Sequence, residues 1–242
     1  MIGRARALGW SFVFLAGGFA LTLFLVRLLT PGSRLADPGE ALWYAGWQAL
    51  VMLGAFGAAT WLIGRRVLRF TAGDFGLVPV SRGVRGFGWG LLLGAVLAAV
   101  AMSFAVALGR AAWRDDGGAT ASWLVTVLAT GLVLLPAALA EELIFRGVPM
   151  LALARAFGRM PAIIGLAILF GVGHANNPGI TPLAIANITL AGVFLGLAFF
   201  SPGGLWTATG AHLGWNLALA GLAAPVSGLP LPMPWLDYVP RG

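Results

Sequence analysis

Long apolar runs separated by short polar stretches set the pattern of this chain. Four charge-free runs come first, Leu8–Val26, Ala41–Gly64, Phe87–Gly109 and Gly117–Ala140. Each is close to or above the roughly 20 residues that a helix needs to cross a hydrocarbon core about 30 Å thick. After Arg159 no Asp, Glu or Arg occurs until Asp237. Turn signals at Asn176-Asn177-Pro178-Gly179 and Ser201-Pro202-Gly203-Gly204 divide that stretch. They leave helical segments near Met160–Gly173, Pro182–Phe200 and Leu205–Ala223. The runs are continuous rather than alternating, which favours helices over barrel strands. The pattern predicts an all-α, polytopic transmembrane helix bundle with about seven membrane helices. The first run is longer than a signal-peptide core and no small-x-small site follows it, so it is expected to stay uncleaved. No internal repeat occurs, and the longest hydrophilic stretch, Arg65–Arg85, is only a loop.

Composition narrows the class further. Of 242 residues, 60% are hydrophobic and 10% charged, against about 45–50% and about 25% in soluble domains. Too little charge remains to coat a water-exposed surface, and disorder needs the opposite balance. The absence of cysteine excludes disulfides, thiolate metal sites and cysteine nucleophiles. All 15 basic residues are arginine, and the net charge is +7. They are scattered between apolar runs, so they are expected to anchor the helices in a bilayer rather than bind nucleic acid. Arg4 and Arg6, the loop with Arg65, Arg66, Arg69, Arg82 and Arg85, and the group Arg146, Arg155 and Arg159 all fall on one side. In the opposite loops Arg34, Arg110 and Arg114 are balanced by Asp37, Glu40, Asp115 and Asp116. This places the N-terminus inside and the C-terminus, after seven crossings, outside. The tail, with prolines at 225, 230, 232, 234 and 240, is expected to be extended or loop-like.

Ionisable groups within apolar segments are costly and point to function. Glu141, Glu142 and Arg146 follow the fourth run without a turn. On a helix Glu142 and Arg146 are i and i+4 and can neutralise each other. Glu141 lies about 100° away and is the spare carboxylate, free to act as a general base on water. Taken alone, the cluster reads equally as interfacial charge ending a helix. Phe170 and His174 are also i and i+4, which packs the ring against the imidazole. His212 and Asn216 repeat that spacing and present two donors to one point, as an oxyanion needs; interhelical polar contacts are the plainer reading. Asn187 is a further polar residue in the sixth segment. Gly192 and Gly196 form a small-xxx-small face, and Gly171 and Gly173 offer room beside His174. If the chain stays helical from Glu141 to Arg155 and reverses near Gly158, Glu141 and His174 both lie roughly 25 Å from the turn, at one depth. Gly147 and Pro149 mark the place where that helix can break.

In order, Glu141-Glu142-x-x-x-Arg146, Phe170-x-x-x-His174 and His212-x-x-x-Asn216 resemble the CPBP family. That family comprises type II CAAX-prenyl endopeptidases and bacterial bacteriocin-processing or self-immunity proteins. His174-x-x-Asn177-Pro178, Gly192-x-x-x-Gly196 and Leu205-Trp206 extend the resemblance over about residues 120–220. It implies an intramembrane endopeptidase acting on a membrane-associated protein or peptide. Glu141 and His174 would activate water, and His212 and Asn216 would hold the oxyanion. Glu142, Arg146, Phe170 and Asn177 would support them. It divides the chain into N-terminal membrane helices (1–115), a catalytic bundle (116–224) and a Pro-rich tail (225–242). The expected location is a bacterial inner membrane, as a multi-pass protein. No cofactor is expected. The residues contain no His-Glu-x-x-His helix, so a glutamate-type mechanism is preferred to the zinc alternative. The other class is a non-enzymatic immunity or scaffold protein of the same fold. A transporter is disfavoured, because no paired interrupted helices occur in two halves.

Overall fold

The computed structural model describes residues 2–29, 38–229, 231 and 233–240. Arg34 and Asp37, which entered the charge balance, and Pro230, Pro232 and Arg241 lie outside them.

Every apolar run becomes helix. The elements are α1 (Arg4–Leu29), α2 (Pro38–Ala59) continued by a π-helical segment over Thr60–Val67, α3 (Val80–Ala107), α4 (Thr120–Arg146), α5 (Val148–Phe157), α6 (Arg159–Gly173), α7 (Pro182–Phe199) and α8 (Leu205–Gly221). Five stretches are long and apolar enough to span a membrane: α1, Trp43–Val67, α3, the joined α4–α5 and α7. At 15 and 17 residues, α6 and α8 are shorter. The molecule is an integral membrane protein built as a polytopic helical bundle. Large apolar side chains face outward along its length, among them Phe12, Phe24, Phe104, Leu132 and Leu190. Water would disfavour such a surface, whereas lipid tails are its natural solvent.

The helices form a ring. Neighbours in space run α1, α2, α4, α8, α7, α6, α5 and back to α1, and α3 lies outside against α8. Phe14, Phe56, Ile144, Val148, Met150 and Ile163 are nearly fully buried in its main core. The α3–α8 contact is backbone on backbone. A methyl at Gly90 would overlap the Thr207 carbonyl, one at Gly94 the Ala211 carbonyl, and one at Gly214 the Leu91 carbonyl. Only glycine permits that approach, which fixes the first three turns of α8.

Of the two courses open between Glu141 and Arg155, the chain takes the broken one. The chain breaks at Gly147 (φ −77°, ψ −124°), and α5 restarts with Pro149 in its first turn. Proline lacks an N–H for the helix ladder and suits a helix start. A Cβ at Gly147 would also strike the Leu143 carbonyl. The break does not separate the two halves. Phe145 on α4 meets Phe170 on α6 with ring centroids 5.1 Å apart. From Arg159 to Phe170 α6 rises about 16 Å, so α5 must descend by a comparable distance.

Arg4, Arg6, Arg155 and Arg159 gather at one end with the α2–α3 loop, whereas Arg146, expected on the same side, is buried within the bundle. Asp74, in the α2–α3 loop, pairs with Arg155 of α5 at 2.6 Å, and Arg155 lies over the Phe70 ring at 4.5 Å. Burial works against the Asp74 charge, but hydrogen bonds from the Thr71 N–H and hydroxyl and from Arg155 outweigh it and hold this carboxyl below its usual range. At the other end the tail does more than extend. Strand β2 (Leu236–Pro240) pairs antiparallel with β1 (Ala111–Asp115) of the α3–α4 connection. Trp123 donates to the Gly221 carbonyl at 2.8 Å, and the Trp235 N–H donates to Asp116. The described termini therefore lie at opposite ends of the bundle. Reporter fusions at residue 75 should read cytoplasmic and fusions at residue 116 external; the reverse pattern would overturn the orientation taken from the arginines.

Candidate active site

The charged motif occupies the last two turns of α4. Glu142 and Arg146 are 0% and 1% exposed, with Arg146 Nη1 donating to Glu142 Oε1 at 3.0 Å. Burying a lone charge would be prohibitive, so each requires the other. Arg146 Nη2 donates to the Gly192 carbonyl of α7 at 2.9 Å, and the guanidinium lies 5.0 Å from the Phe170 ring centroid. From α8, His212 places Nδ1 2.9 Å from the same Glu142 oxygen. A carboxylate can only accept, so His212 donates from Nδ1 and turns Nε2 the other way. Nε2 faces Glu141 Oε2 at 3.8 Å. One imidazole therefore stands between two adjacent carboxylates.

Glu141 is 28% exposed, and its Oε2 has no hydrogen-bond partner. His174, which caps α6 and is half-buried, has Nδ1 2.7 Å from the Phe170 carbonyl. That carbonyl must accept, so Nδ1 carries the proton and Nε2 keeps its lone pair. Phe170 holds both imidazoles edge-on, His174 at 4.7 Å and His212 at 6.0 Å. Glu141 and His174 share no hydrogen bond; the group that Glu141 approaches directly is His212. Asn216, one turn beyond His212, is half-buried and its carboxamide makes no hydrogen bond among the described residues. Asn177 closes the turn after α6, its N–H donating to the His174 carbonyl at 3.0 Å. Asn187 is exposed on α7.

Residues 120–218, from the first residue of α4 almost to the end of α8, match the family described as type II CAAX prenyl endopeptidase Rce1-like. Residues 120–218 are thus similar to an Rce1-like endopeptidase domain, which supports a CAAX-type membrane protease. Neither a curated protein nor a solved structure matches the chain.

Within residues 120–218, small residues bring the helices close. Gly192 rests on Ala167 and Gly196 on Ile163, which seats α7 against α6. Gly171 faces Thr189, whereas Gly173 has nothing within 4 Å, so only the first makes room for a neighbour. Two features carried no signal in the sequence. The Gly192 carbonyl is the second acceptor for Arg146, and a backbone acceptor has no residue signature. The Glu142–His212 hydrogen bond joins residues 70 apart, a pairing set by helix packing alone. A zinc site needs three converging ligands from His, Cys, Asp or Glu. Among the described residues no such group of three converges.

Proposed function

We propose that the Rce1-like stretch hydrolyses a peptide bond in a membrane-associated protein or peptide, with Glu141 as the general base on the attacking water. The observation that carries this reading is Glu141, whose side chain is partly exposed and whose buried Oε2 makes no hydrogen bond, beside an imidazole whose far side is tied to a second carboxylate. Glu141 takes a proton as the water oxygen bonds to the scissile carbonyl carbon. His174 offers its Nε2 lone pair to the same water. The oxyanion takes hydrogen bonds from His212 and Asn216. His212 can fill that role only with both ring nitrogens protonated, one shared with Glu142 and the other aimed at the oxyanion. The C–N bond then breaks, and Glu141 returns its proton to the leaving amine. Glu142, Arg146 and Phe170 act by positioning the imidazoles, and Asn177 by closing the turn beside His174. The proposed setting is a bacterial inner membrane, where bacteriocin-type peptides are one candidate substrate class.

The test is mass spectrometry of peptides released when the purified chain, in bilayer nanodiscs, meets a membrane-anchored peptide library. New cleavage products that persist in EDTA, with zinc well below one per chain, are expected. Cleavage that stops in EDTA and returns only with zinc would replace this mechanism by a metal one. No cleavage of any anchored peptide would favour a non-enzymatic immunity or scaffold role.

A further inference from the structure

At the arginine-rich end of the bundle, a cavity of about 430 Å³ opens between α5, the first turn of α6 and the α7–α8 turn. Arg155 and Arg159 line it together with Asp74, Ser201, Leu151 and Phe199. Its charges do not cancel. Asp74 neutralises Arg155 across 2.6 Å. Arg159 lies over the Phe200 ring at 4.9 Å and has no ion pair or hydrogen bond among the described residues. The Ser201 hydroxyl, in the same wall, is buried without a hydrogen-bond partner. A second cavity of about 420 Å³ uses the other side of Arg155 and adds Arg6, which extends the positive region. The carboxylate–histidine cluster is separate: α8 climbs about 10 Å from Leu205, beside this cavity, to His212.

The cavity thus presents one uncompensated guanidinium and an apolar wall in which one idle hydroxyl is buried. A phosphodiester complements all three. It carries a single negative charge, has two free oxygens to accept from guanidinium and hydroxyl, and bears ester substituents that suit Leu151 and Phe199. The charge pattern puts this end in the cytoplasmic leaflet, which is rich in anionic lipid. We propose that this cavity binds the phosphodiester of an anionic phospholipid headgroup, with Arg159 as countercharge and Ser201 as neutral donor. A zwitterionic headgroup would bring its own ammonium against Arg159 and bind less well.

The experiment is native mass spectrometry of the purified chain titrated with dioleoylphosphatidylglycerol, dioleoylphosphatidylcholine or inorganic phosphate, with melting curves in parallel. Phosphatidylglycerol should bind saturably and raise the melting temperature, and phosphatidylcholine should bind more weakly. Arg159→Gln should weaken phosphatidylglycerol binding by about fivefold, the scale of one arginine at an anionic surface. Arg159→Lys should restore much of it, and Ser201→Ala should weaken it several-fold. Arg114→Gln, at the opposite end, should leave it unchanged. Melting of each variant in phosphatidylcholine alone checks folding, and Ser201→Ala carries the test if Arg159→Gln does not fold. Equal binding of the two lipids, or binding indifferent to both substitutions, would overturn the site. Stabilisation by phosphate equal to that by phosphatidylglycerol would support the anion site and overturn its lipid source.

Discussion

Glu141→Gln is expected to slow cleavage by about 10²–10⁴-fold, the range that a positioned general base supplies, without moving the melting temperature. The side chain is 28% exposed, and the 3.8 Å approach of its Oε2 to His212 Nε2 is longer than a hydrogen bond. Glutamine keeps the shape and the dipole but cannot accept the proton. Turnover per folded molecule, measured with a cleavable membrane-anchored peptide, is the readout. Retention of more than roughly a tenth of wild-type turnover would assign the base to another group.

Arg146→Ala is expected to cost about 3–5 kcal/mol of stability, because it leaves Glu142 charged and buried. The change also orphans the Gly192 carbonyl, which Arg146 now satisfies. Melting curves and folded yield in detergent should therefore show a far larger loss than for Glu141→Ala. The double change Glu142→Gln with Arg146→Met removes both charges and should regain much of the stability. It also removes the carboxylate that accepts from His212 Nδ1, so turnover should stay low. Equal folded yields for Arg146→Ala and Glu141→Ala would argue against the buried pair. Recovery of turnover along with stability would argue against the orienting role of Glu142.

Much of this molecule is legible along the chain because a bilayer imposes a simple rule. Backbone polar groups must be satisfied within each crossing segment, so a charge-free run of the right length is a helix. Hence every apolar run from Leu8 to Ala223 lies in a helix. The i,i+4 pairs are local for the same reason. Glu142 with Arg146, and Phe170 with His174, meet because one helical turn brings them together, whatever the rest of the fold does.

The tertiary structure decided what no local rule reaches. Gly147 and Pro149 marked in the sequence where α4 can break; that it does break, and that the levels still match, as Phe145 against Phe170 shows, was decided by packing. Gly90 and Gly94 on α3 were unremarkable as sequence, yet they let that helix press its backbone on α8 behind His212. Glu142 is the clearest case. From the sequence its partner was Arg146 alone. Packing of α8 added His212 to the same oxygen, and this turned Nε2 toward Glu141 instead of leaving both nitrogens free. Composition and periodicity report what each segment can bury. Which buried groups share a proton is settled only when helices distant in sequence are brought into contact.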